Sequence, residues 1–450
     1  MSAEQDPQEI SPLGALLDRS LYSESLDCVH CGLCLTSCPT YRATGRETAS
    51  PRGRIYLMRG VAEGRLMDTE LLEEEAFQCL GCRACETACP SGVQYGAMLE
   101  QTRHAIRSGG VTRDDWATRL ERFALRRIVP SPGVLRLLFG LLSFVQTLGL
   151  DRLGAKLAPR RLADMMTLLP TVPPASERAR LPAFTKAEGP RRGRVALFEG
   201  CVMPELFGRV NDAARRVLSR AGYDVIVPPQ QGCCGALQAH SGDLDFARGL
   251  ALRNADAFRE SPALDEEGRA SEDRPEPFDA IIVTSAGCSA ALREAEHWIG
   301  EAGGSIARGA RDVLEFLDEV DASLPLRPLP LRVCYDDPCH LVHAQGIASA
   351  PRRLLEAIPE LSLVAHRDPE ACCGAAGIYN LTQPEMSARV LSPKIDALAE
   401  ANPQVVATAN PGCAMQLAAG LEGRGLAARV VHPIELIEEA SRSSTADPRD

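Results

Sequence analysis

Seventeen cysteines are the residues of this chain best suited to chemistry, and eight of them form two runs with the same spacing. The first run is Cys28-Val-His-Cys31-Gly-Leu-Cys34-Leu-Thr-Ser-Cys38-Pro39, and the second is Cys79-Leu-Gly-Cys82-Arg-Ala-Cys85-Glu-Thr-Ala-Cys89-Pro90. Both match the pattern C-x2-C-x2-C-x3-C-P, which is specific for [4Fe–4S] clusters. Three thiolates at two-residue gaps wrap one face of a cuboidal cluster, so each run predicts one cluster.

The fourth cysteine of such a run leaves with its proline and, in two-cluster ferredoxins, ligates the other cluster. The predicted ligands of the first cluster are therefore Cys28, Cys31, Cys34 and Cys89. Those of the second are Cys79, Cys82, Cys85 and Cys38. The alternative is a pair of zinc sites, but zinc sites usually separate two C-x2-C pairs by a longer loop. The spacing favours clusters.

Two adjacent cysteine pairs, Cys233-Cys234 and Cys372-Cys373, each precede a glycine. A vicinal pair is poor disulfide material, because neighbouring Cα atoms lie ~3.8 Å apart and a disulfide prefers ~5.5 Å. Two such thiols are better suited to hold a metal cluster. With the cysteines that follow nearby strand patterns, they give two sets of candidate ligands for one or two further clusters: Cys201, Cys233, Cys234 and Cys288, and Cys339, Cys372, Cys373 and Cys413.

An internal repeat must position these two sets. Its first copy has apolar strand patterns at 195–198, 225–227 and 280–283, and its second copy has them at 331–335, 361–364 and 405–407. Strands alternating with helices predict a parallel sheet in each copy. Loops that follow parallel strands emerge at one edge of the sheet, so the four cysteines of each copy should converge there. The longer first copy contains a polar, acidic stretch at 261–277, which is predicted to be a surface-loop insertion.

The two cysteine runs near the N-terminus are separated by 40 residues with helical apolar spacing, first at Ile55, Met58 and Val61, then at Leu72 and Phe77. This predicts an inserted helix pair. The fold class is multidomain: an all-α two-[4Fe–4S] ferredoxin domain followed by α/β tandem cysteine-rich repeats with parallel sheets. The predicted units are a flexible tail at 1–22, the ferredoxin domain at 23–110, a basic helical segment and Pro-rich linker at 111–193, the repeats at 194–330 and 331–440, and a tail at 441–450.

Composition excludes several classes of protein. The net charge of −11 argues against a nucleic-acid partner. The acidic, polar residues 1–10 lack a secretory signal, and free cysteines then favour a reducing compartment, the cytoplasm. The longest apolar stretch, 137–150, is too short to span a bilayer. Its flanks at 119–127 and 152–161 are basic, which is typical either of a core helix with a solvated rim or of an element docked on a partner or on the inner face of the plasma membrane.

From about residue 23 to 440 the chain resembles the iron–sulfur subunit of bacterial glycolate oxidase (glycolate dehydrogenase). The resemblance is carried by Pro51-Arg-Gly-Arg54, Gly200-Cys-Val202, Pro228-Pro-Gln-Gln-Gly-Cys-Cys-Gly-Ala236, Asp337-Pro-Cys-His-Leu341, His343-Ala-Gln-Gly346, Cys372-Cys-Gly-Ala-Ala-Gly-Ile-Tyr-Asn-Leu-Thr382 and Asn410-Pro-Gly-Cys413. It implies FAD-binding partner subunits that oxidise glycolate to glyoxylate, and electron transfer toward a quinone or membrane acceptor. It also implies an oxidoreductase subunit that carries electrons and holds no catalytic residue of its own.

The C-terminal half resembles the tandem cysteine-rich domain of heterodisulfide reductase, lactate-utilisation proteins and anaerobic glycerol-3-phosphate dehydrogenase. The heterodisulfide reductase pattern ends each repeat in C-x2-C, but here Ala291 and Gln416 replace the last cysteine. This disfavours a disulfide-cleaving centre. A catalytic reductase, a structural subunit, or a lactate or glycerol-3-phosphate complex remain the alternatives. No flavin or nicotinamide fingerprint is present in the sequence, so hydride removal is expected on a partner chain.

Several other residues flank the cysteines. His340 and His343 are candidates to ligate iron, hydrogen-bond a cluster sulfur or shuttle protons, with strand-end packing as the alternative. His30 is expected to tune the first cluster by hydrogen bonding. Tyr41, Arg52 and Arg54 are expected to stabilise the negative charge of that cluster.

The remaining candidates have structural interpretations. Asp336 and Asp337 are predicted to be helix caps rather than a catalytic pair. His432 and the mid-strand Cys334 are predicted to be core residues.

Overall fold

The computed structural model describes residues 13, 17, 19–67, 69–109, 116–150, 154, 171–259 and 277–442. The predicted tails at 1–22 and 441–450, the 261–277 insertion and the basic flank at 152–161 lie wholly or mostly outside the described residues.

Helices are the only regular secondary structure in the described part of the chain before residue 150. They are α1 Arg19–Ser25, α2 Pro39–Thr44, α3 Pro51–Ala62, α4 Thr69–Gln78, α5 Ala84–Thr87, α6 Tyr95–Ser108, α7 Trp116–Phe123, a π-helical turn Ala124–Ile128, and α8 Pro132–Thr147. Helix α3 begins where the Ser50 hydroxyl accepts from the Gly53 amide at 3.1 Å, with Pro51 at the first helical position. The inserted helix pair is confirmed as α3 and α4.

The first repeat contains a five-stranded sheet in the order β1-β3-β2-β4-β5. The strands are β1 Phe184–Thr185, β2 Gly193–Phe198, β3 Tyr223–Ile226, β4 Ala280–Val283 and β5 Ala310–Asp312. All neighbours are parallel except β1 and β3. Its helices are α9 Met203–Leu206, α10 Gly208–Arg220, α11 Ala236–His240, α12 Leu244–Arg259, α13 Ala286–Arg293, α14 Ala295–Ile299, a 3-10 turn Gly300–Gly303, α15 Gly304–Gly309 and α16 Val313–Glu319.

The second repeat contains a four-stranded, fully parallel sheet in the order β7-β6-β8-β9. The strands are β6 Arg332–Tyr335, β7 Ser362–Leu363, β8 Val405–Ala407 and β9 Arg429–Val431. Its helices are α17 Cys339–Gln345, α18 Ser349–Glu356, α19 Tyr379–Thr382, α20 Pro384–Ala401, α21 Pro411–Gly423 and α22 Pro433–Ser441. The predicted fold class, with parallel sheets in tandem repeats, is confirmed.

Both sheets contribute to one shared hydrophobic core. Val195 and Leu197 on β2 belong to the same buried cluster as Val333 on β6 and Val405 on β8. Continuous apolar runs suit strands covered on both faces, and Ala280–Val283 is buried at every position. The repeats are therefore fixed against each other.

Helix α8, which contains most of the apolar stretch 137–150, is not the buried core helix that one interpretation predicted. Leu137 and Leu141 on α8 are 72% and 59% exposed, so a buried core helix is wrong. Among the described residues no single helix is long and apolar enough to cross a membrane. One pair, Trp116–Ile128 with Pro132–Thr147, meets that test only jointly and across a bend of 110°.

Candidate functional site

The two cysteine runs have the same backbone shape. His30 and Gly32 have φ of 55° and 86°, and Gly81 and Arg83, at the equivalent positions, both have φ of 62°. Left-handed residues at the same two places bend each run in the same way. His30 and Arg83 adopt this conformation although it is unfavourable for residues with a Cβ, which indicates that the surrounding structure imposes it.

Burial separates the two predicted ligand groups. Cys79, Cys82 and Cys85 are buried, and so is Cys38, whereas Cys31 is exposed. Burial raises the pKa of Cys85, and the neighbouring thiols of Cys82, Cys79 and Cys38 raise it further. Cys38 is thus close to thiols of the second run as well as to Cys34 of its own run.

Arg54 provides positive charge beside the buried group. Its side chain is fully buried and donates from Nη1 to the Thr40 hydroxyl at 3.2 Å and from Nε to the Glu75 carbonyl at 2.6 Å. The Thr40 hydroxyl lies 3.2 Å from the Cys38 sulfur. Burial raises the pKa of Cys38 and Arg54 offsets part of that shift. Arg54 therefore lies beside Cys38, the last cysteine of the first run, and also beside Cys79 of the second run.

Near the first run, Arg52 donates from Nη1 to the His30 carbonyl at 2.9 Å. The His30 ring meets the Tyr56 ring edge-on at 6.2 Å, and its Nε2 lies 3.4 Å from Arg59 Nη1. Its ring is therefore directed toward Tyr56 and Arg59, and the contacts seen do not support hydrogen bonding to the cluster. Tyr41 lies within α2.

Sequence reasoning missed Arg103, which fixes the start of the second run. From α6 its buried guanidinium donates to the carbonyls of Cys79 at 2.5 Å and Ala76 at 2.8 Å, and to the His240 carbonyl of the first repeat at 2.7 Å. An arginine in a helical pattern carries no signal for this role, because its partners are main-chain carbonyls far away in the sequence.

The four cysteines of each repeat lie close together, as predicted. In the first repeat the sulfurs of Cys234 and Cys288 lie 3.4 Å apart, and the neighbouring Cys233 thiol raises the pKa of Cys201. In the second repeat the sulfurs of Cys373 and Cys413 lie 3.1 Å apart, and the neighbouring Cys339 thiol raises the pKa of Cys372. The arrangement is the same in both copies.

The glycines after the vicinal pairs are required by space as well as by backbone conformation. Gly374 has φ of +85°, and a Cβ there would lie 2.7 Å from the Ser387 carbonyl oxygen. Gly235 has φ of +91° and a Cβ would lie 3.2 Å from the Ala247 carbonyl oxygen. A helix thus packs directly behind each cysteine loop, which explains why a residue without a side chain is needed there.

Asn410 connects the two sets of repeat cysteines. Its Oδ1 accepts from the Gly287 amide, next to Cys288, at 3.2 Å, and its Nδ2 lies 3.5 Å from the Cys413 sulfur. The Ala286 amide also donates to the Ala409 carbonyl at 3.0 Å. The cysteine-bearing edges of the two sheets therefore meet.

The second cysteine run touches the second repeat directly. The side chains of Cys82 and Cys372 are buried in one cluster with Leu80 and Tyr379, and the neighbouring Cys372 thiol lowers the pKa of Cys82. The Tyr379 hydroxyl donates to the Gln78 carbonyl at 2.7 Å. A predicted ligand of the ferredoxin domain thus lies against a predicted ligand of the repeat.

His340 and His343 reinforce this contact. His340 Nε2 lies 3.0 Å from the Gly81 carbonyl, and burial lowers the pKa of His340 to about 4, so the neutral ring donates from Nε2. His343 Nδ1 lies 3.0 Å from the Thr87 hydroxyl. Both histidines bind the backbone or a side chain of the second run rather than a cluster sulfur.

The first repeat meets the ferredoxin domain through charged side chains instead of thiols. Glu100 on α6 lies 3.0 Å from His240 Nδ1 and accepts from Trp298 Nε1 at 3.1 Å. Arg83, within the second run, pairs with Glu294. The two repeats therefore contact the ferredoxin domain in different ways.

The remaining predicted residues have structural roles. Asp336 pairs with Lys394 and Asp337 with Arg352, each at 2.5 Å, so the prediction that they cap a helix is wrong: α17 has Pro338 at its N-cap. Asp336 and Asp337 therefore form ion pairs with Lys394 on α20 and Arg352 on α18.

Two predicted core residues are buried. Cys334 is 0% exposed, and burial raises its pKa to about 11, which keeps the thiol protonated. His432 is buried and caps α22, with Nδ1 accepting from the Ile434 amide at 3.1 Å.

The donor set is chemically suited to iron–sulfur clusters. It consists of soft thiolates in groups of four, which select iron–sulfur clusters or zinc. Within the described ranges, no three His, Cys, Asp or Glu side chains are grouped so as to hold a single metal ion. The fit to a cluster rests on the C-x2-C-x2-C-x3-C-P spacing of the thiols.

Three parts of the chain match models of known families. Residues 24–93 match the 4Fe-4S dicluster domain, and residues 195–293 and 333–418 match the Cysteine-rich domain. The chain therefore contains a dicluster ferredoxin domain and two cysteine-rich domains.

Several curated proteins are similar over almost their full length. The Probable glycolate oxidase iron-sulfur subunit of Bacillus subtilis is 36% identical, with 99% of this chain and 100% of that protein aligned. The Glycolate oxidase iron-sulfur subunit of Escherichia coli is 33% identical, with 94% and 96% aligned. One subunit of the dihydromethanophenazine:CoB–CoM heterodisulfide reductase of Methanosarcina barkeri is 23% identical, with 93% and 94% aligned.

Proposed function

The chain belongs to the glycolate oxidase iron–sulfur subunit family, and from this premise we propose that it carries electrons within a glycolate-oxidising complex. The substrate is oxidised to glyoxylate on FAD-binding partner subunits, and the electrons leave toward a quinone. The chain offers thiols, not substrate-binding groups, at its functional centre. This division of labour is supported by the sequence, which has no flavin or nicotinamide fingerprint.

We propose the ligands in the two groups that the spacing of the cysteine runs predicts. Cys28, Cys31, Cys34 and Cys89 would hold one [4Fe–4S] cluster, and Cys79, Cys82, Cys85 and Cys38 would hold the other. Such clusters supply one-electron carriers whose potentials depend on charge, burial and hydrogen bonds. Arg54 and Arg103 act on the second site by fixing Cys38 and Cys79 and by adding positive charge.

The two sets in the repeats are proposed ligands of further clusters. Each set contains four thiols at the carboxyl edge of a parallel sheet, where ligands of α/β proteins bind. The neighbouring thiols, above all Cys233 and Cys373, and then burial raise the pKa of Cys201, Cys234 and Cys413, so these thiols are held protonated until a metal replaces the proton. Their loading is thus coupled to proton release.

The observation that carries this proposal is the contact between Cys82 and Cys372. This contact brings the second cysteine run directly against the second repeat. Asn410 then connects Cys413 to the amide beside Cys288 in the first repeat. A continuous series of thiol sites therefore runs from the ferredoxin domain into both repeats.

Electron entry is proposed at the first cysteine run. Cys31 is exposed, and the apolar side chains around it, Leu26, Val29, Leu33 and Tyr56, are 54–68% exposed. An exposed apolar patch of this kind is typical of a protein interface. It would let a flavoprotein approach the first cluster closely, while the second cluster lies deeper and nearer to the repeats.

The proposal is tested on the complex purified without oxygen together with its flavoprotein subunits. Glycolate should reduce the clusters, as followed by electron paramagnetic resonance, while lactate and glycerol 3-phosphate should not. Reduction by lactate alone would transfer the same electron-carrying role to a different complex. No reduction by any of the three would refute the role.

Iron and acid-labile sulfide per chain measure the extent of loading. About eight of each would mean that the ferredoxin domain alone is loaded, and about 12 to 16 would place clusters in one or both repeats. A loaded repeat would favour chemistry at the vicinal cysteines over simple conduction. Zinc in place of iron would contradict the proposal.

A further inference from the structure

Two neighbouring helices expose their apolar faces to solvent. On α7 the side chains of Trp116, Leu120 and Phe123 are 55–76% exposed. On α8 and its last turn the exposed apolar side chains are Val134, Leu137, Leu138, Leu141, Phe144 and Leu148. We call these residues the α7–α8 surface. It is far larger than the isolated apolar residues that soluble surfaces normally carry.

The exposed side chains of α8 lie on one face of the helix. At about 100° per residue they fall within an arc of about 120°. The other side of α8 faces the protein: Leu135 is buried, and the Gln146 side chain accepts from the Val172 amide at 2.9 Å. An amphipathic helix of a globular protein normally turns its apolar stripe inward, and this one turns it outward.

The attachments of this segment keep the apolar face outside. Arg126 donates to Asp243 of the first repeat at 2.5 Å, and Gln238 donates to the Leu125 carbonyl at 2.7 Å. Glu121 on α7 pairs with Arg107 at 3.6 Å. The segment is therefore fastened at its polar side and at Leu125, and its apolar stripe has no partner within the described ranges.

The charge of the segment is opposite to that of the chain. Residues 116–150 contain five arginines and one glutamate, a net charge of +4, whereas the whole chain carries −11. The arginines, Arg119, Arg122, Arg126, Arg127 and Arg136, are all exposed. Leu, Phe and Trp on one face with arginines beside them are the composition of helices that lie in a lipid–water interface, where anionic headgroups attract the arginines.

We propose that α7 and α8 form an in-plane anchor that binds the protein to an anionic membrane surface. Lying in the plane is favoured over spanning, because Arg122, Arg126 and Arg127 occupy the middle of the bent pair and Arg126 is tied to Asp243. This inference goes beyond the proposed function and does not depend on which substrate the complex oxidises.

The anchor is adjacent to the redox centre. A cavity of about 620 Å³ is lined by Thr118 and Glu121 of α7 together with Cys79 and Tyr379. Thr118 and Glu121 lie on the face of α7 opposite its exposed apolar side chains, so α7 separates the bound membrane from the cavity that reaches the second cysteine run. The docking site proposed above for the flavoprotein is a different surface, the apolar patch around Cys31.

Vesicle flotation of the full-length, cluster-loaded protein tests this inference. Wild type should float with vesicles of phosphatidylcholine and phosphatidylglycerol, with an affinity at least about tenfold above that for pure phosphatidylcholine. Leu137→Glu with Leu141→Glu should lower the affinity about 100-fold or more, because two exposed leucines that would enter the interface are lost. Arg122→Ala with Arg127→Ala should remove most of the preference for anionic vesicles.

The matched control is Leu252→Glu with Leu381→Glu, two leucines that are 44% and 49% exposed elsewhere. These changes should leave flotation as in wild type. Brominated acyl chains should quench the exposed Trp116 and spare Trp298, which is buried and bonded to Glu100.

Three results would overturn the proposal. The first is wild type that does not float with anionic vesicles, and the second is a Leu137/Leu141 variant that floats like wild type. The third is a Leu137→Glu/Leu141→Glu variant that loses the flavoprotein, or changes from a dimer to a monomer, without any change in flotation. This result would mean that protein covers the α7–α8 surface.

Discussion

Removing the amine of Lys394 should open the loop that leads to the vicinal cysteines of the second repeat. Lys394 and Asp336 are 4% and 1% exposed, so their ion pair is shielded from water. The ammonium has three acceptors: Asp336 Oδ1 at 2.5 Å, the Pro369 carbonyl at 2.9 Å and the Asp368 carbonyl at 3.3 Å. It thus holds α20, the end of β6 and the segment just before Cys372 together.

The magnitude follows from what Lys394→Met would leave behind. Asp336 Oδ2 already has no hydrogen-bond partner, so the substitution would leave a buried carboxylate with almost no compensation. Removing one partner of a buried ion pair costs about 3–5 kcal/mol, which corresponds to opening that is about 150- to 5,000-fold more frequent. Two-state unfolding is a poor measure in a multidomain cluster protein, so local opening is the better observable.

Hydrogen–deuterium exchange followed by mass spectrometry measures this opening in peptides covering 366–374 and α20. Exchange, corrected for its intrinsic rate, should accelerate by at least about 100-fold in Lys394→Met. Asp336→Asn combined with Lys394→Met should recover most of the protection, because no buried charge is then left unpaired. An acceleration below about tenfold, or a double variant that exchanges as fast as the single one, would refute the reasoning.

The same variant should depend on pH in a defined direction. Burial raises the pKa of Asp336 to about 7 even with Lys394 present, and losing Lys394 raises it further. A carboxyl whose pKa is higher in the folded than in the unfolded state does not destabilise the fold below its unfolded pKa of about 4. As the pH rises above that value, it lowers the free energy of unfolding by an increasing amount. The opening caused by Lys394→Met should therefore be larger at pH 8 than at pH 6.

Three further predictions concern other parts of the molecule. Gly374→Ala should lower iron and sulfide in the second repeat, because the Cβ would clash with the Ser387 carbonyl. The control is Gly346→Ala, which has a similar φ of +71° but open space around it. It should lower the free energy of unfolding by about 1 kcal/mol with no loss of iron. Arg103→Met should release the Cys79 loop and reduce iron by about four per chain, with one of the two ferredoxin signals lost from the resonance spectrum. Asp312→Asn should raise the thermal midpoint of unfolding at pH 8, by an amount that shrinks toward pH 4. Burial raises the pKa of Asp312 to about 7, so its charged form destabilises the folded state. An equal increase at both pH values would contradict this cause.

Local pattern was sufficient for the elements that carry the cysteines. The C-x2-C-x2-C-x3-C-P spacing predicts cluster sites because a cuboidal cluster accepts only a few ligand spacings. The strands at 195–198, 280–283 and 405–407 were predicted because buried parallel strands are continuous apolar runs. The convergence of four thiols in each repeat followed, since the carboxyl ends of parallel strands share one edge. The short strands β1, β5 and β9 were missed because polar or charged residues, Thr185, Arg311 and Arg429, interrupt their apolar runs.

The side-chain partners depend on tertiary structure and were often predicted wrongly. Arg54 follows the first run in sequence, but its helix carries it to Cys79 of the second run as well as to Cys38. Asp336 and Asp337 stand before a helix as caps would, yet their partners are Lys394, 58 positions away, and Arg352. A buried charge takes the nearest opposite charge in space, and sequence spacing does not reveal it.

The amino-acid sequence by itself determined which thiols can bind clusters, because ligand spacing is a local property of the chain. Only the tertiary structure decided how those sites are connected: Cys82 meets Cys372 across a domain contact, and Asn410 joins the edges of the two repeats. It also decided that the apolar stripe of α8 faces outward, because helical periodicity defines a face but not the direction in which packing turns it. Contacts between distant segments arise from packing of whole domains, and no local pattern encodes them.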